Sequence, residues 1–280
     1  MAAHLSQLIN ANSPPSPHPP MKVVILCGGK GTRLREETEY RPKPMVPIGG
    51  QPILWHIMKY YAHFGYREFI LCLGYKGEMI KDYFRNYHWN TCDVTLNLGP
   101  TPRYQFHNQH NEQDWIVTLA DTGIDTMTAA RIKRIQRYIP EGQPFMLTYG
   151  DGLSNIDIHA LIRSHRQAQK TCTLSAVHPA GRFGSLKIEQ TGTVYTFHEK
   201  PQMETAYVNG GYMVCEYTMF NYLPDDPTVM LEQQPMLQLV RDGQLNAYKH
   251  EGWWQPMDTY QEMQHLNNLW EQNKAPWKIW

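Results

Sequence analysis

Hydrophobic and polar positions along the chain fall into short apolar runs separated by longer amphipathic segments. Residues 23–26 (Val-Val-Ile-Leu) are a continuous apolar run closed by glycines, and predict a strand buried on both faces. Gln51-Pro52 opens a segment in which Ile53, Ile57, Tyr60, Tyr61 and Phe64 keep helical spacing, with proline in the first turn and Gly65 at the end. Residues 68–73 predict a second strand, ended by Gly74, and Met79, Ile80, Tyr83, Phe84 and Tyr87 mark another amphipathic helix. This strand–helix–strand–helix order with short links implies parallel strands in an α/β layer fold. Residues 92–98, 103–107 and 115–120 then predict three strands in succession, so the middle of the chain is richer in β and open to antiparallel pairing. A helix carrying Ile132, Ile135 and Ile139 follows, with Thr126 as its expected cap. Beyond it come a strand at 145–149, a hairpin of 185–189 and 194–198 joined at Thr191-Gly192, a strand at 212–215, a helix at 230–239, a strand at 245–249 and a helix at 259–273.

The predicted loops carry the candidate chemistry. The first strand runs into Cys27-Gly28-Gly29-Lys30-Gly31-Thr32-Arg33, where closely spaced glycines let backbone N–H groups turn inward on an anion. Lys43 follows between Pro42 and Pro44, whose rings stiffen the backbone that aims the amine. Lys30, Arg33 and Lys43 together suit a polyanion such as a nucleoside triphosphate. Two better-known phosphate loops fail on their own residues. Gly31 separates Lys30 from Thr32, where a P-loop needs lysine followed at once by Ser or Thr, and Leu34 stands where a dinucleotide fingerprint needs its third glycine or alanine.

Further on, Gly150-Asp151-Gly152 exposes a carboxylate at the end of the 145–149 strand. Magnesium among phosphates is held by one or two carboxylates, and Asp258, just before the last helix, is the candidate second. The same residue is equally placed to cap that helix. Between the aspartates lie a turn ending at Gly184, a proline-stiffened lysine in Glu199-Lys200-Pro201, and Asn209-Gly210-Gly211 ahead of the next strand. His107 and His110 on one strand would point to opposite faces, which argues against a metal pair. Arg131, Lys133, Arg134 and Arg137 line the polar sides of the helix after Thr126, where a solvated basic face is the default and Arg131, one turn beyond the capping threonine, stands apart from it.

The string LCGGKGTRL followed by RPKPMVPIGGQPILWHIM, with the later GDG and MDT strings, resembles the sugar-1-phosphate nucleotidyltransferases from Met21 to Trp280. The resemblance implies an α/β nucleotide-diphospho-sugar transferase fold: a Rossmann-like, mixed, mostly parallel sheet flanked by helices, with a small β-rich sugar-binding part. It implies a reaction in which CTP and α-D-glucose 1-phosphate give CDP-glucose and pyrophosphate with Mg2+. CTP is favoured by the whole-chain match, although uridylyl-, thymidylyl- and guanylyltransferases share the opening loop. Residue by residue, Leu26, Cys27, Gly28, Gly29, Lys30, Gly31, Thr32, Arg33, Thr126, Arg131 and Gly150 are expected to contact the nucleotide. Lys43, Gly184, Glu199, Lys200, Asn209 and Gly210 are expected to hold the sugar phosphate, and Asp151 and Asp258 the metal. Arg33, Lys43 and Asp151 carry the catalytic roles. Cys27 departs from the family's usual alanine, and Lys30 occupies a variable position. The resemblance further implies a homo-oligomer, with a sugar nucleotide destined for O-antigen or another surface polysaccharide.

Composition narrows the alternatives. A chain of 280 residues carries 26 basic and 26 acidic side chains, so no global basic field points to nucleic acid or a membrane surface. The five cysteines are scattered, odd in number and free of C-x-x-C spacing, which reads as reduced thiols and a cytoplasmic compartment. No apolar stretch approaches a membrane span. Residues 1–20 end in a Pro/Ser run, lack the pattern of a secretory signal, and read as a disordered extension ahead of a single domain at 21–280. A catalytically silent nucleotide-sugar sensor would be expected to have lost Arg33, Lys43 or an aspartate. A metal-dependent glycosyltransferase would be expected to carry Asp-x-Asp. Trp253, Trp254, Trp270, Trp277 and Trp280 predict aromatic anchoring of the tail, on its own domain or on another subunit.

Overall fold

A seven-stranded sheet forms the centre of the molecule. The computed structural model describes residues 21–108, 110–179, 185–189, 194–198 and 207–280. In chain order the sheet strands are β1 (Val23–Leu26), β2 (Glu68–Leu73), β3 (Ile116–Asp121), β4 (Phe145–Tyr149), β5 (Cys172–Val177), β6 (Val208–Cys215) and β7 (Leu245–His250), laid side by side as β7-β5-β6-β4-β1-β2-β3. Six of them share one direction; β6 alone runs against both its neighbours, β5 and β4. The main helices are α1 (Ile53–His63), α2 (Gly77–Arg85), α3 (Thr128–Arg134), α4 (Ile158–Ala168), α5 (Gln234–Arg241) and α6 (Tyr260–Glu271). Every residue of β1 is buried, as an apolar run without alternation requires. Its side chains divide between two cores: Val23 and Ile25 join one formed with α1, α4 and α6, while Val24 and Leu26 join another with α3 and α5.

The expected α/β architecture is therefore present: a mixed, mostly parallel sheet between helical layers. The strands expected at 23–26, 68–73 and 145–149 have the expected bounds. The β-rich middle splits. Residues 94–97 and 103–106 form an antiparallel ribbon outside the main sheet, whereas β3 joins the sheet parallel to β2. Gln51-Pro52 does not open α1 but pairs with Pro47-Ile48 in a two-residue ribbon, leaving Pro52 at the helix N-cap. The helix expected through Tyr87 breaks after Arg85 and restarts at Tyr87. Asn209-Gly210-Gly211 lies inside β6 and not ahead of it. Gly211, at φ +82°, permits a bulge there that shifts the register against β5 between Leu174 and Ala176. The hairpin of Ser185–Ile188 with Val194–His198 is antiparallel as expected; its Thr191-Gly192 connection lies outside the described residues. No helix of the described residues is long and apolar enough to cross a membrane.

The aromatic tail docks on its own domain. Trp277 is fully buried, stacked on Trp253 with ring centroids 5.2 Å apart and set edge-on to His56. His56, also fully buried, presents Nε2 to the Ile48 carbonyl at 2.8 Å and accepts from Trp277 Nε1 at Nδ1 (3.3 Å). Those partners fix a neutral ring, since a proton on Nδ1 would face a donor. Burial first, then the nearby Lys278 charge, push the His56 pKa down from 6.5 to about 4 against the contrary pull of the Ile48 carbonyl. In the unfolded chain the ring takes up a proton near its ordinary pKa and in the folded one it does not. Stability from this group is thus whole above pH 6.5 and lost as pH falls toward 4, on the order of 3 kcal/mol in all. His165 and His250, likewise lowered by burial, act in the same sense. The melting temperature is expected to drop steadily between pH 7 and pH 5 in scanning calorimetry; a flat profile would contradict this account.

Candidate active site

The site forms where two parallel strands end together. Leu26 of β1 pairs with Tyr149 of β4, so the glycine loop and Gly150-Asp151 leave the sheet side by side, and the Gly150 N–H donates to the Leu26 carbonyl at 3.0 Å. Anion sites in such sheets lie beyond the carboxyl ends of the strands. After Asp151 the chain pairs Gly152–Ser154 antiparallel with Trp254–Pro256, and Met257 N–H donates to the Asp151 carbonyl at 2.8 Å. That ribbon carries Asp258 to Asp151 across 107 residues of sequence. Asp258 is not the cap of α6. Thr259 is, through a capping box: its hydroxyl accepts from Glu262 N–H, and the Glu262 carboxylate accepts from the N–H groups of Thr259 and Asp258. The Asp258 carboxylate is left to the cleft.

Four charged side chains meet there. Lys43 Nζ donates to Asp151 Oδ2 at 2.7 Å and to Asp258 Oδ1 at 2.6 Å, and Arg33 Nη1 donates to the other oxygen of Asp258 at 2.5 Å. The Lys43 and Asp258 side chains are only 9% and 11% exposed, while Arg33 reaches into solvent. Burial alone would lower the Lys43 pKa, but Asp151 and Asp258 outweigh it and hold the ammonium above its ordinary value. A cleft of about 270 Å3 opens above the cluster, lined by Leu26, Cys27, Gly28, Gly29, Gly31, Thr32, Thr126, Arg131 and Gly150 among others. Lys30 turns away from it to pair with the exposed Asp125 at 2.7 Å. A smaller recess on the far side of Asp151 contains Asn209 and Gly210. Gly184, Glu199 and Lys200 lie outside the described residues. A larger cavity of about 1030 Å3 sits elsewhere, beneath the 94–106 ribbon, with aromatic and histidine walls. The glycine loop, the paired strand ends and the convergent charges are all at the smaller cleft, which is the candidate site. His107 and His110 have separate partners, Thr95 and His88, and no group of three or more metal-ligating side chains occurs among the described residues.

Two sequence expectations on the nucleotide side are corrected. Thr126 does not cap α3; Met127 occupies the N-cap, and the Thr126 hydroxyl accepts from Arg134 Nη1 at 2.9 Å. The basic face of α3 is not merely solvated, because Lys133 donates to the Phe220 carbonyl and Arg134 pairs with Asp225. Arg131 is 3% exposed and spreads its guanidinium under the glycine loop, donating to the carbonyls of Gly28, Leu73, Gly123 and Ile124 and to the Thr122 hydroxyl. It thereby ties together the segments that leave β1, β2 and β3. Five convergent acceptors compensate the cost of burying the charge.

A model described as nucleotidyl transferase matches residues 22–271. The chain belongs to the nucleotidyl transferase family. This transferase is 48% identical to the glucose-1-phosphate cytidylyltransferase of Salmonella typhi over 260 residues, 93% of this chain and 100% of that one. It is equally similar, over the same shares, to the glucose-1-phosphate cytidylyltransferase of Salmonella typhimurium. Among solved structures, that of HddC from Yersinia pseudotuberculosis matches it with a TM-score of 0.62 at 24% identity, covering 89% of this chain and 99% of that one. At that identity the likeness bears on the fold alone.

Sequence reasoning missed part of this candidate site. Tyr149 walls both the cleft and the recess, and its hydroxyl donates to Glu232, whose carboxylate also accepts from Thr128. Trp254 closes the recess and donates from Nε1 to the Gly210 carbonyl at 2.7 Å. The YGDG string placed Tyr149 one residue from the glycine turn, the only local signal for it. Nothing near Glu232 in sequence announces its partner 83 positions away.

Proposed function

We propose that the chain transfers a cytidylyl group from CTP to α-D-glucose 1-phosphate, releasing pyrophosphate and CDP-glucose. The observation that carries this reading is the 48% identity to a glucose-1-phosphate cytidylyltransferase over that relative's full length. The convergence of Arg33, Lys43, Asp151 and Asp258 on one cleft supports it. A sugar phosphate is already anionic, so attack of its oxygen on the α-phosphorus needs no general base. What remains is alignment and charge repulsion, which fixed cations reduce.

In this reading the glycine loop offers backbone N–H groups to the triphosphate from the ends of β1, with Arg131 setting the loop's height from below and Thr126 at the cleft wall. Arg33, exposed at the rim, neutralises the β- and γ-phosphates as they leave. Lys43 and Lys200 are assigned to the attacking phosphate, and Asn209, Gly210, Gly184 and Glu199 to the sugar. Asp151 Oδ2 and Asp258 Oδ1 both accept from the Lys43 ammonium, and this pair of hard carboxylate oxygens would hold Mg2+. Bound there, Mg2+ would supply positive charge to offset the repulsion between the reacting phosphates.

The assay is pyrophosphate release with glucose 1-phosphate and Mg2+, offering CTP, UTP, dTTP, ATP and GTP separately. Release with CTP alone is expected. Release with a different nucleotide alone would replace the base assignment, and binding of CTP without release under any condition would favour a silent sensor. The loop makes a second prediction. A Cβ on Gly28 would lie 2.2 Å from Arg131 Nη1, and that buried guanidinium has no free direction in which to yield. Gly28→Ala is therefore expected to weaken CTP binding by about tenfold or more and to cost roughly 1–3 kcal/mol of stability, as overpacking does. Calorimetric titration and thermal unfolding check the two effects; unchanged CTP affinity would remove the loop from the nucleotide site.

A further inference from the structure

Lys43 is held in an unusual position for a residue read as a phosphate ligand. Its ammonium has three hydrogens, and two are given to carboxylate oxygens of different aspartates, Asp151 Oδ2 at 2.7 Å and Asp258 Oδ1 at 2.6 Å. The site that gathers two carboxylates for a cation therefore contains a cation of the protein's own. Its backbone is fixed: Pro42 and Pro44 flank it, and Lys43–Met45 forms a tight 3-10 turn, so the flexible side chain is the part free to move. Arg33 reaches only the outer oxygen of Asp258 and leaves the inner faces of both carboxylates to Lys43.

We propose that Lys43 is the built-in counter-ion of the Asp151–Asp258 pair and competes with the divalent cation for the same two carboxylates, giving way when a substrate phosphate draws its ammonium off. The identity of the cation and of the phosphate rests on the functional reading above; the competition itself rests on the contacts. Two carboxylates that converge on a buried point repel each other unless a positive charge lies between them, and an ammonium and a dication at that point repel in turn. One lysine with two sets of acceptors thus acts as a two-position switch. Drawing the ammonium onto phosphate opens both carboxylates at once, and by linkage a cation on the carboxylates favours the lysine on phosphate. The transferase would then hold its metal weakly without substrate and firmly with it, so that the free enzyme does not sequester divalent ions in a non-productive site.

The test is direct titration of Mn2+, followed by electron paramagnetic resonance, on the full chain without substrates. Lys43→Gln removes the charge but keeps an N–H donor for the carboxylates, and is expected to tighten Mn2+ binding by about tenfold or more, the scale of one neighbouring unit charge in a partly buried site. Lys43→Arg keeps the charge and is expected to stay close to wild type. The same contrast appears in thermal unfolding: Lys43→Gln loses stability and regains it on adding Mn2+, whereas wild type shifts far less. Equal Mn2+ affinity in all three proteins overturns the proposal, as does tightening that survives when Asp151 and Asp258 are both replaced by Asn. Neither readout requires turnover. Failure of the cytidylyltransferase assay and failure of the competition are therefore seen in separate experiments.

Discussion

Asp151→Asn is expected to lower kcat/KM for pyrophosphate release by at least about a hundredfold, equivalent to ~3 kcal/mol of transition-state stabilisation. The change alters one oxygen to an amide in a residue that is one-third exposed and sits in a turn between glycines, so the fold has little reason to respond. Two functions are lost together. A carboxylate oxygen that fits a hard cation becomes an amide, and Lys43 loses the charge of one of its two partners. Asp258→Asn is expected to be at least as severe, because Asp258 is the more buried carboxylate and answers to Arg33 as well as Lys43. Steady-state kinetics with thermal unfolding run in parallel separates the possibilities. A large rate loss at unchanged melting temperature is the expected result. An unchanged rate would remove Asp151 from the chemistry and reduce it to a turn residue.

Trp277→Ala carries the largest expected effect on stability. The indole is completely buried between Trp253 and His56, and its Nε1–H supplies the donor for His56 Nδ1. Truncation of a buried tryptophan leaves a cavity and costs ~3–5 kcal/mol, and here it also strands a buried acceptor. For a domain of this size that corresponds to a fall in melting temperature of roughly 10 °C. Trp277→Phe retains most of the stacking but not the donor, and is expected to recover a substantial part of the loss. Thermal unfolding by circular dichroism measures both. Because Trp277 lines neither the cleft nor the recess beside it, KM for either substrate should be unchanged at temperatures where the variant is folded.

Much of the site was legible because its pieces stand next to strand ends. Continuous apolar runs gave β1, β2 and β4 their bounds, and the residues that follow such runs fall at the carboxyl edge whatever the rest of the chain does. Arg33 and Asp151 were found this way, Lys43 by its flanking prolines and Asp258 as the second carboxylate in the MDT string, and the four meet within hydrogen-bond distance. What sequence could not resolve was competition between neighbours and the direction of long side chains. Thr259 and Asp258 are both good caps, and the outcome was decided by Glu262 three residues beyond Thr259, which completes a capping box. Arg131 stands among basic neighbours on its helix, and its burial depends on carbonyls that converge only once three strands are aligned. The 94–106 ribbon alternates like a sheet strand, yet β3 occupies the place beside β2, and nothing local in the ribbon distinguishes the two.

The seating of Trp277 against His56 couples the order of synthesis to the order of folding. His56 lies on α1, among the first elements to leave the ribosome, while the indole that satisfies it follows 221 residues later. During translation the N-terminal layer must therefore wait with an incomplete core, exposing the apolar surface that chaperones recognise. A chain cut short before residue 277 would contain every charged residue of the cleft and still lack the element that closes the layer beneath it. Premature termination or trimming at that end would be sensed by the cell as a folding defect, well before any deficit in catalysis could register.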